Sequence, residues 1–308
     1  MIKWLVAGVG QAGRCHVAAL QRTPDAALVG VVDPASPNIN GIPVYADLNS
    51  ALRATRADAV VIATPNDVQL DSAQLALHAG VPVLCEKPVG VSVGQAKELL
   101  GLSEVLSVPV GVVLNQRAHR HCKWIKDLID AGDLNPSAIK FTGNIARLKG
   151  WHADPMRSGG GVLRTIGIHY IDLLMWWLGL LRNISLTMPG APGEDTVSLI
   201  AEIGEGCRAE IHISATQEVS EGPMHCVIEG EGALIRMAGH VVEEVTGLPK
   251  PPDPEPFDEA LTFGPGHLTA MTEATESLLN DRTFPVPLAD AIALLNTIQE
   301  MYEGARSG

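Results

Sequence analysis

The sequence predicts an α/β chain: an N-terminal doubly wound parallel Rossmann sheet followed by a C-terminal α+β domain built on a large, mainly antiparallel open sheet. Three observations predict it. Over the first 115 or so residues, short continuous apolar runs alternate with amphipathic segments. The first of these runs ends in a glycine-rich turn, Gly8-Val9-Gly10-Gln11-Ala12-Gly13. After about residue 118 the pattern changes, and from 184 to 245 the chain alternates apolar and polar residues in the manner of half-buried strands. Continuous apolar strands separated by helices indicate a parallel sheet covered on both faces, whereas alternation indicates antiparallel strands with one face uncovered.

The elements follow in order. Ile2 to Gly8, Ala27 to Val32, Ala59 to Ala63, Val81 to Cys85 and Val108 to Leu114 read as buried strands. Gln11 to Arg22, Ser50 to Ala54, Val68 to Ala79 and Val93 to Leu102 read as the helices between them. This alternation is the doubly wound architecture and assigns residues 1–118 to a nucleotide-binding domain and 119–308 to a substrate-binding and oligomerisation domain. In the second part, Trp124 to Ala131 is helical, Ala138 to Ala146 is a strand, and Val162 to Leu178 is a strongly apolar helix behind the turn Gly159-Gly160-Gly161. Turns such as Gly204-Glu205-Gly206 and Gly230-Glu231-Gly232 separate the strands that follow. Leu248 to Phe257 is too rich in proline for helix or central strand and reads as a surface loop or sheet-edge crossing. Leu268 to Asn280 and Leu288 to Glu303 close the chain as helices.

Composition excludes several classes. Of 308 residues, 46% are hydrophobic and 19% charged, enough to build a full core. The net charge of -13 argues against a nucleic-acid or anionic-membrane partner. Five irregularly spaced cysteines with no CxxC read as reduced thiols. The apolar start is broken by glycines before it could serve as a signal peptide, and the longest apolar stretch contains His169 and Asp172, so a cytoplasmic protein is expected. The run His119-Arg120-His121-Cys122 is not a metal site, because residues 119 and 121 point apart on one helix; it reads as a polar surface, and no metal is expected.

The glycine turn carries the first functional reading. It follows a buried strand, opens a helix, and is followed about twenty residues later by Asp33 at the end of the second strand. Gly8 permits the tight turn, Gly10 lets a pyrophosphate approach the backbone, and Gly13 allows close helix–strand packing; the diphosphate rests on the N–H groups opening the helix, at Gln11 and Ala12. Asp33 accepts from the adenosine ribose hydroxyls. A carboxylate there repels a 2′-phosphate, and Pro34-Ala35-Ser36 supplies no cation to offset it, so NAD is expected rather than NADP. Thr64, Pro65 and Asn66 after the third of these strands edge the same cofactor, and Asn115 follows the last strand.

The pieces GVGQAGRCH at 8–16, ATPN at 63–66, CEKPV at 85–89, LNQRAH at 114–119 and GGGVLRTIGIHYIDLL at 159–174 occur in one order and spacing. With them the chain resembles the Gfo/Idh/MocA oxidoreductases, the family of glucose–fructose oxidoreductase and inositol dehydrogenase, over essentially its whole length. The resemblance implies NAD-dependent hydride transfer to or from a secondary alcohol carbon of a sugar, polyol or nucleotide sugar. It also implies a catalytic Lys87, preceded by a cofactor-side Glu86. The residues agree: Lys87 lies just past a parallel strand, where such sheets bind ligands, and a desolvated lysine has a lowered pKa suited to acid–base work. A solvated lysine beside a helix start is the bland alternative.

His169 is the second catalytic candidate, with Asp172 one turn later on the same face. An isolated histidine in an apolar helix can be a core residue; the glycine turn and the resemblance favour a substrate-facing acid or base. Asp172 either orients His169 or bonds locally. Many relatives carry Asp four residues before the histidine, where this chain has Thr165, so Lys87 and His169 share the proton work. A subset that includes nucleotide-sugar 3-dehydrogenases has a neutral polar residue there, and WHADPMRSGGG looks like that subset. Arg117 binds a substrate anion or forms a salt bridge at the hinge; Trp151 and Arg157 bind substrate beside the glycine turn, unless Trp151 is packing. Arg164 is a further candidate there, and His16 on the first helix faces the nicotinamide side. A homodimer or homotetramer is expected through the second sheet, with Val197 to Ile203 and Ala209 to Ile213 as the contributing strands. Two other readings stand beside the dehydrogenase: a non-catalytic NAD-binding regulatory relative, motivated by Thr165, and an NAD-assisted lyase or hydrolase of the same fold.

Overall fold

The structure is a computed structural model that describes residues 1–308 except 36, 37, 40, 190–192, 221, 257–260, 262–264 and 308, with backbone only at 306 and 307. The first stretch runs β1 (Ile2–Ala7), α1 (Gln11–Leu20), β2 (Ala26–Val32), β3 (Val44–Tyr45), α2 (Leu48–Thr55), β4 (Ala59–Ile62), α3 (Asn66–His78), β5 (Val83–Glu86), α4 (Val93–Leu106) and β6 (Val110–Val113). Then come α5 (Arg120–Ala131), β7 (Pro136–Ala146), α6 (Pro155–Ser158) and α7 (Ile168–Leu178). The strands β8 (Leu181–Thr187), β9 (Thr196–Ile203), β10 (Cys207–Gln217), β11 (His225–Gly230), β12 (Ala233–Ala238) and β13 (Val241–Thr246) lead to α8 (Gly266–Leu279) and α9 (Leu288–Ser307). The chain forms two compact units, Met1–Asn115 with Pro256–Ala293, and Gln116–Glu255 with Leu294–Gly308.

The first unit holds a six-stranded sheet in the order β3-β2-β1-β4-β5-β6 with every pair parallel. All four residues of each of β4, β5 and β6 are buried, which is why these runs read as continuously apolar. Asp47 and Ser92 start α2 and α4 by accepting from the Ser50 and Gln95 N–H groups. The single boundary expected after residue 118 does not describe this unit, because the chain returns to it. Met271 and Ala274 of α8, with Phe284, are buried in the same cluster as Trp4, Val6, Ala19 and Val61. The Trp4 indole N–H donates to Thr275 Oγ1 at 3.1 Å, so even the one polar atom of this fully buried ring is satisfied by α8. Periodicity shows that α8 has an apolar face; it does not show which sheet that face covers.

The second unit is built on a seven-stranded sheet, β13-β12-β11-β7-β10-β9-β8. The central pair β7–β10 is parallel and the others are antiparallel, so the sheet is mixed at its middle rather than a pure meander. On its inner face, Phe141 packs against Tyr170 and Trp177 of α7, and the Trp177 indole donates to the Cys122 carbonyl of α5. The apolar strand residues expected to meet another subunit face this interior instead. Val197, Leu199, Ala201, Ile203, Ala209, Ile211 and Ile213 are all buried within the chain. The opposite face carries Ser198, Glu202, Arg208, Glu210 and His212, with Lys140–Glu210 and Arg208–Glu210 ion pairs, and Ile200 as its exposed aliphatic on β9.

Two further expectations are revised. The helix read from Val162 begins as a π-turn, Leu163–Gly167, and becomes α-helical at Ile168. His119 and His121 are buried, not part of a polar surface. His119 stacks on His240 at 3.9 Å, and His121 bridges the Val242 N–H and the Pro252 carbonyl. They hold the proline-rich stretch, which has neither helix nor strand over 248–256; Phe257 lies outside the described residues. None of the five cysteines forms a disulfide, and all are buried. Among the described residues no helix is long and apolar enough to cross a membrane.

The placement of α8 is testable. Met271→Ala should destabilise the chain by about 2–5 kcal/mol, as truncation of a fully packed core side chain does. Urea unfolding that shows a loss below about 1 kcal/mol would remove α8 from the Rossmann core.

Candidate functional site

The glycine turn has the geometry of a nucleotide cradle. Gly8 sits at φ +90°, and a Cβ there would lie 2.5 Å from the Ala63 carbonyl oxygen. A Cβ on Gly13 would lie 1.9 Å from the Gly8 carbonyl oxygen, so α1 packs against the end of β1 with no room for a side chain. Gly10 differs: a Cβ there meets nothing within 4 Å among the described residues, and the residue is exposed. Gly10 is also the N-cap of α1, with no side-chain cap and no acidic residue in the first turn. The N–H groups of Gln11 and Ala12 therefore open the helix without a carboxylate competing for them, which is the arrangement that binds a diphosphate.

Asp33 is fixed at the end of β2. Its two carboxylate oxygens accept from the Val9 N–H at 3.0 Å and the Ala35 N–H at 2.9 Å. Each oxygen keeps a lone pair for a ribose hydroxyl. Beyond the ends of β4 and β6, Thr64 Oγ1 and Asn115 Oδ1 are buried with no hydrogen-bond partner among the described residues. Pro65 precedes α3 and Asn66 begins it, buried. These residues fit NAD: an anion site at a helix start, a carboxylate for the ribose, and orphaned polar atoms on the same sheet edge.

At the end of β5 the structure builds a buried polar cluster. Glu86 is 8% exposed. Its Oε1 lies 2.6 Å from His16 Nε2 and 3.6 Å from His267 Nε2, and its Oε2 accepts from the Lys87 N–H at 3.1 Å. Gln69 on α3 donates to the Glu86 carbonyl and accepts from the Gly90 N–H, pinning the backbone on both sides of Lys87. Burial alone would raise the Glu86 pKa, but the hydrogen bonds from His16 and His267 oppose it and the carboxyl is held well below its usual range. Lys87 is partly buried, and desolvation lowers its pKa to about 8 against the opposing pull of Glu86. Burial likewise lowers the His16 pKa. The Glu86 carboxylate is thus held in the protein interior by His16, His267 and the Lys87 N–H. The three ligand-type atoms lie within 4.8 Å of one another. The 2.6 Å His16–Glu86 separation is nevertheless a hydrogen-bond length. It is shorter than the edge of roughly 3.3 Å between two ligands placed about 2.0 Å from a tetrahedral zinc.

In the second unit the glycine turn is held from behind. Glu194 is buried, and its Oε1 accepts from the Leu163 N–H and the Tyr302 hydroxyl, both at 2.9 Å; the same hydroxyl accepts from the Gly161 N–H. A Cβ on Gly161 would fall 2.5 Å from Glu194 Oε2, which explains the glycine. Glu194 so caps the π-turn, a local geometry that recurs at functional sites. Thr165 is buried and its hydroxyl donates to the Gly161 carbonyl at 2.9 Å, turned back on its own helix rather than toward a substrate. Arg164 is buried, and desolvation lowers its pKa to about 10. His169 follows on the first turn of α7, half-buried, with its ring edge-on to Tyr170. Trp151 stacks on His152, and Arg157 is exposed on α6.

Arg117 and Asp172 meet each other. Arg117 Nε donates to both Asp172 oxygens at 3.0 and 3.1 Å and Nη2 donates to Oδ1 at 2.6 Å, with the guanidinium carbon 5.9 Å from the Trp176 ring centre. The substrate-binding assignment of both is revised to a structural ion pair, one of the two roles weighed for Arg117. With Asp172 buried, loss of one partner strands a charge at a cost of about 3–5 kcal/mol. Sequence reasoning did not reach Glu194, Tyr302 or His267. Glu194 follows a glycine in a turn, and the other two lie on helices far along the chain, so no local pattern marks them.

A nucleotide cradle at the carboxyl edge of a 3-2-1-4-5-6 sheet defines an NAD-binding Rossmann oxidoreductase fold. The model for the NAD-binding Rossmann fold of the GFO/IDH/MocA oxidoreductase family matches residues 2–113, and that for the GFO/IDH/MocA C-terminal domain matches residues 123–236. The chain belongs to the Gfo/Idh/MocA family. It is 28% identical over 216 residues to the rhizopine catabolism protein MocA of Rhizobium meliloti, covering 65% of this chain and 67% of that protein. It is 29% identical over 186 residues to an inositol 2-dehydrogenase of Leifsonia xyli, covering 56% of this chain and 52% of that one, so the match spans about half the relative's length. The crystal structure of the WlbA dehydrogenase from Bordetella pertussis in complex with NADH and UDP-GlcNAcA superposes with a TM-score of 0.84 at 22% identity, covering 100% of this chain and 96% of that one. At that identity the likeness concerns the fold.

The glycines separate cradle from scaffold. Gly10→Val should melt only slightly lower without NAD, as expected for a poorer N-cap residue, and lose the rise in melting temperature that NAD produces. Gly13→Ala should melt lower even without NAD. Retention of the NAD-linked rise in Gly10→Val, worth about 2.7 kcal/mol at a hundredfold excess over Kd, would place the diphosphate elsewhere.

Proposed function

We propose that the chain is an NAD(H)-dependent dehydrogenase that moves a hydride to or from a secondary alcohol carbon of a sugar, polyol or nucleotide sugar. The observation that carries this reading is Lys87: a lysine with a pKa lowered to about 8, held at the carboxyl end of β5 in the same unit as the glycine cradle. Bound NAD supplies the hydride acceptor, and NADH the donor in reverse. The cradle of Gly8, Gly10, Gln11, Ala12 and Gly13 holds the diphosphate and Asp33 holds the ribose. Thr64, Pro65, Asn66 and Asn115 line the rest of the cofactor's path. Lys87 as the free amine accepts the hydroxyl proton when the alcohol is oxidised, and as ammonium returns it to the carbonyl oxygen. His169 on α7 is the second side chain to which a proton-transfer role is assigned.

Thr165 supports the nucleotide-sugar end of the substrate range. A threonine whose hydroxyl is spent on the Gly161 carbonyl cannot act as the carboxylate base found at this place in many relatives. The WlbA dehydrogenase, a structural neighbour, is named in complex with UDP-GlcNAcA. Trp151 and the exposed Arg157, on the approach to the glycine turn, offer a ring face and a cation to such a substrate. Assembly as a homodimer or homotetramer through the second unit's sheet belongs to this proposal. With that face polar, subunits would meet through hydrogen bonds and ion pairs around Ile200 rather than through an apolar layer.

The sign of the pH dependence follows from Lys87. Oxidation needs the neutral amine, so its kcat/KM should rise through a pH of about 8; reduction needs the ammonium and should fall over the same range. Assayed with NAD against a panel of inositols, hexoses and UDP-sugars, Lys87→Met should lose about 10²–10⁴ in rate and keep the NAD-linked rise in melting temperature. Full turnover by that variant would remove Lys87 from the chemistry.

A further inference from the structure

We infer that His16 and His267 are positioning residues that act through Glu86: by holding its carboxylate ionised in the core, they set the pH at which Lys87 exchanges its proton. The inference rests on the role given to Lys87 above and adds the side chains that tune it.

The geometry comes first. His16 is fully buried on α1 and His267 is buried on the first turn of α8. Their rings meet edge-on at 5.0 Å and 75°, and both present Nε2 to one oxygen, Glu86 Oε1. The second oxygen takes the Lys87 N–H, so the same carboxylate clamps the peptide of the lysine it faces. An ionised carboxylate only accepts hydrogen bonds, so the proton in the 2.6 Å contact belongs to His16 Nε2. His16 Nδ1 is buried and meets no hydrogen-bond acceptor among the described residues. A second proton there would be stranded, so His16 is the neutral Nε2–H tautomer and donates without cancelling the carboxylate charge.

The titratable groups that face Glu86 are therefore His16 from α1, His267 from α8, and Lys87 and Cys85 beside it in the chain. Burial pushes the Cys85 thiol up to about 12, which leaves it neutral. Lys87 feels two opposed influences: desolvation, which favours the neutral amine, and the Glu86 charge, which favours the ammonium. Without its two imidazoles Glu86 is left to burial, which favours the protonated acid. A neutral Glu86 removes the support for the ammonium, and the Lys87 titration moves to lower pH. The cluster thus keeps a desolvated lysine from losing its proton well below neutrality.

The test reads Lys87 directly and needs neither substrate nor NAD. The whole chain is labelled with [ε-13C]lysine, the Lys87 resonance is assigned by its absence in Lys87→Arg, and its shift is followed against pH. The unaltered chain should titrate near about 8. Glu86→Gln, nearly isosteric, should move the midpoint down by about one unit, which is roughly tenfold more neutral amine at pH 7. His16→Leu and His267→Leu should move it in the same direction, and His16→Gln, which restores an N–H donor, should bring it back toward the original value. If Lys87 titrates within about 0.3 units of the unaltered chain in Glu86→Gln and His267→Leu, while those variants only melt earlier, the histidines merely pack and the inference is overturned. Dehydrogenase activity does not enter this readout, so an inactive chain with a shifted Lys87 titration would fail the functional proposal and leave the coupling standing.

Discussion

Where β1 hands over to α1, the backbone must turn with no side chain between the two elements. Gly8 and Gly13 fill that requirement: a Cβ on either would enter the carbonyl groups of Ala63 or Gly8. The close approach fixes the helix start over the sheet edge, and the bare outward space at Gly10 leaves its N–H groups available to an anion. The rest of the first unit inherits its geometry from this turn. In a parallel sheet all strands end at one edge, so the residues that follow β2, β4, β5 and β6 (Asp33, Thr64, Lys87 and Asn115) are delivered to the same side as the cradle.

Within each unit the chain places charges where water is scarce and supports each one. Glu86 is held by two imidazoles and a peptide N–H. In the second unit Asp172 is held by the fork of Arg117, and Glu194 by Tyr302 and the backbone of the π-turn. A buried charge with its hydrogen bonds made fixes one arrangement, and one left unpaired would cost several kcal/mol. Each of these carboxylates is therefore fixed by the neighbours that bond to it. The three ionisable clusters each sit next to a residue with a proposed chemical role: Glu86 beside Lys87, Asp172 one turn from His169, and Glu194 behind the glycine turn that leads to His169.

The first unit was almost fully legible in the sequence because its signals are local. A continuous apolar run, a glycine at each required point and an acid at the end of the second strand lie within 33 residues, and the structure follows them nearly residue for residue. The second unit was legible as a type, strands with alternating faces behind an apolar helix. Its parallel β7–β10 pair was not, because alternation is identical in parallel and antiparallel partners of a half-covered sheet. The same blindness sent α8 to the wrong unit and the apolar residues of β9 and β10 to an external interface, since a pattern shows that a face is buried and not what buries it. The candidate site residues read from the sequence lie in contiguous motifs. His267, Glu194 and Tyr302 act across long sequence separations from generic surroundings. Arg117 and Asp172 were noticed for their charge, but only coordinates reveal that each is the other's partner.

The central claim is that a diphosphate rests on the opening amides of α1 and carries its ribose to Asp33. A crystal structure of the chain grown with NAD tests it most directly. Density for the diphosphate is expected within hydrogen-bonding distance of the Gln11 and Ala12 nitrogens, with adenosine ribose hydroxyls on the Asp33 carboxylate. Density for the dinucleotide bound away from the Gly8–Gly13 turn, or with Asp33 facing solvent while the ribose lies elsewhere, would contradict it.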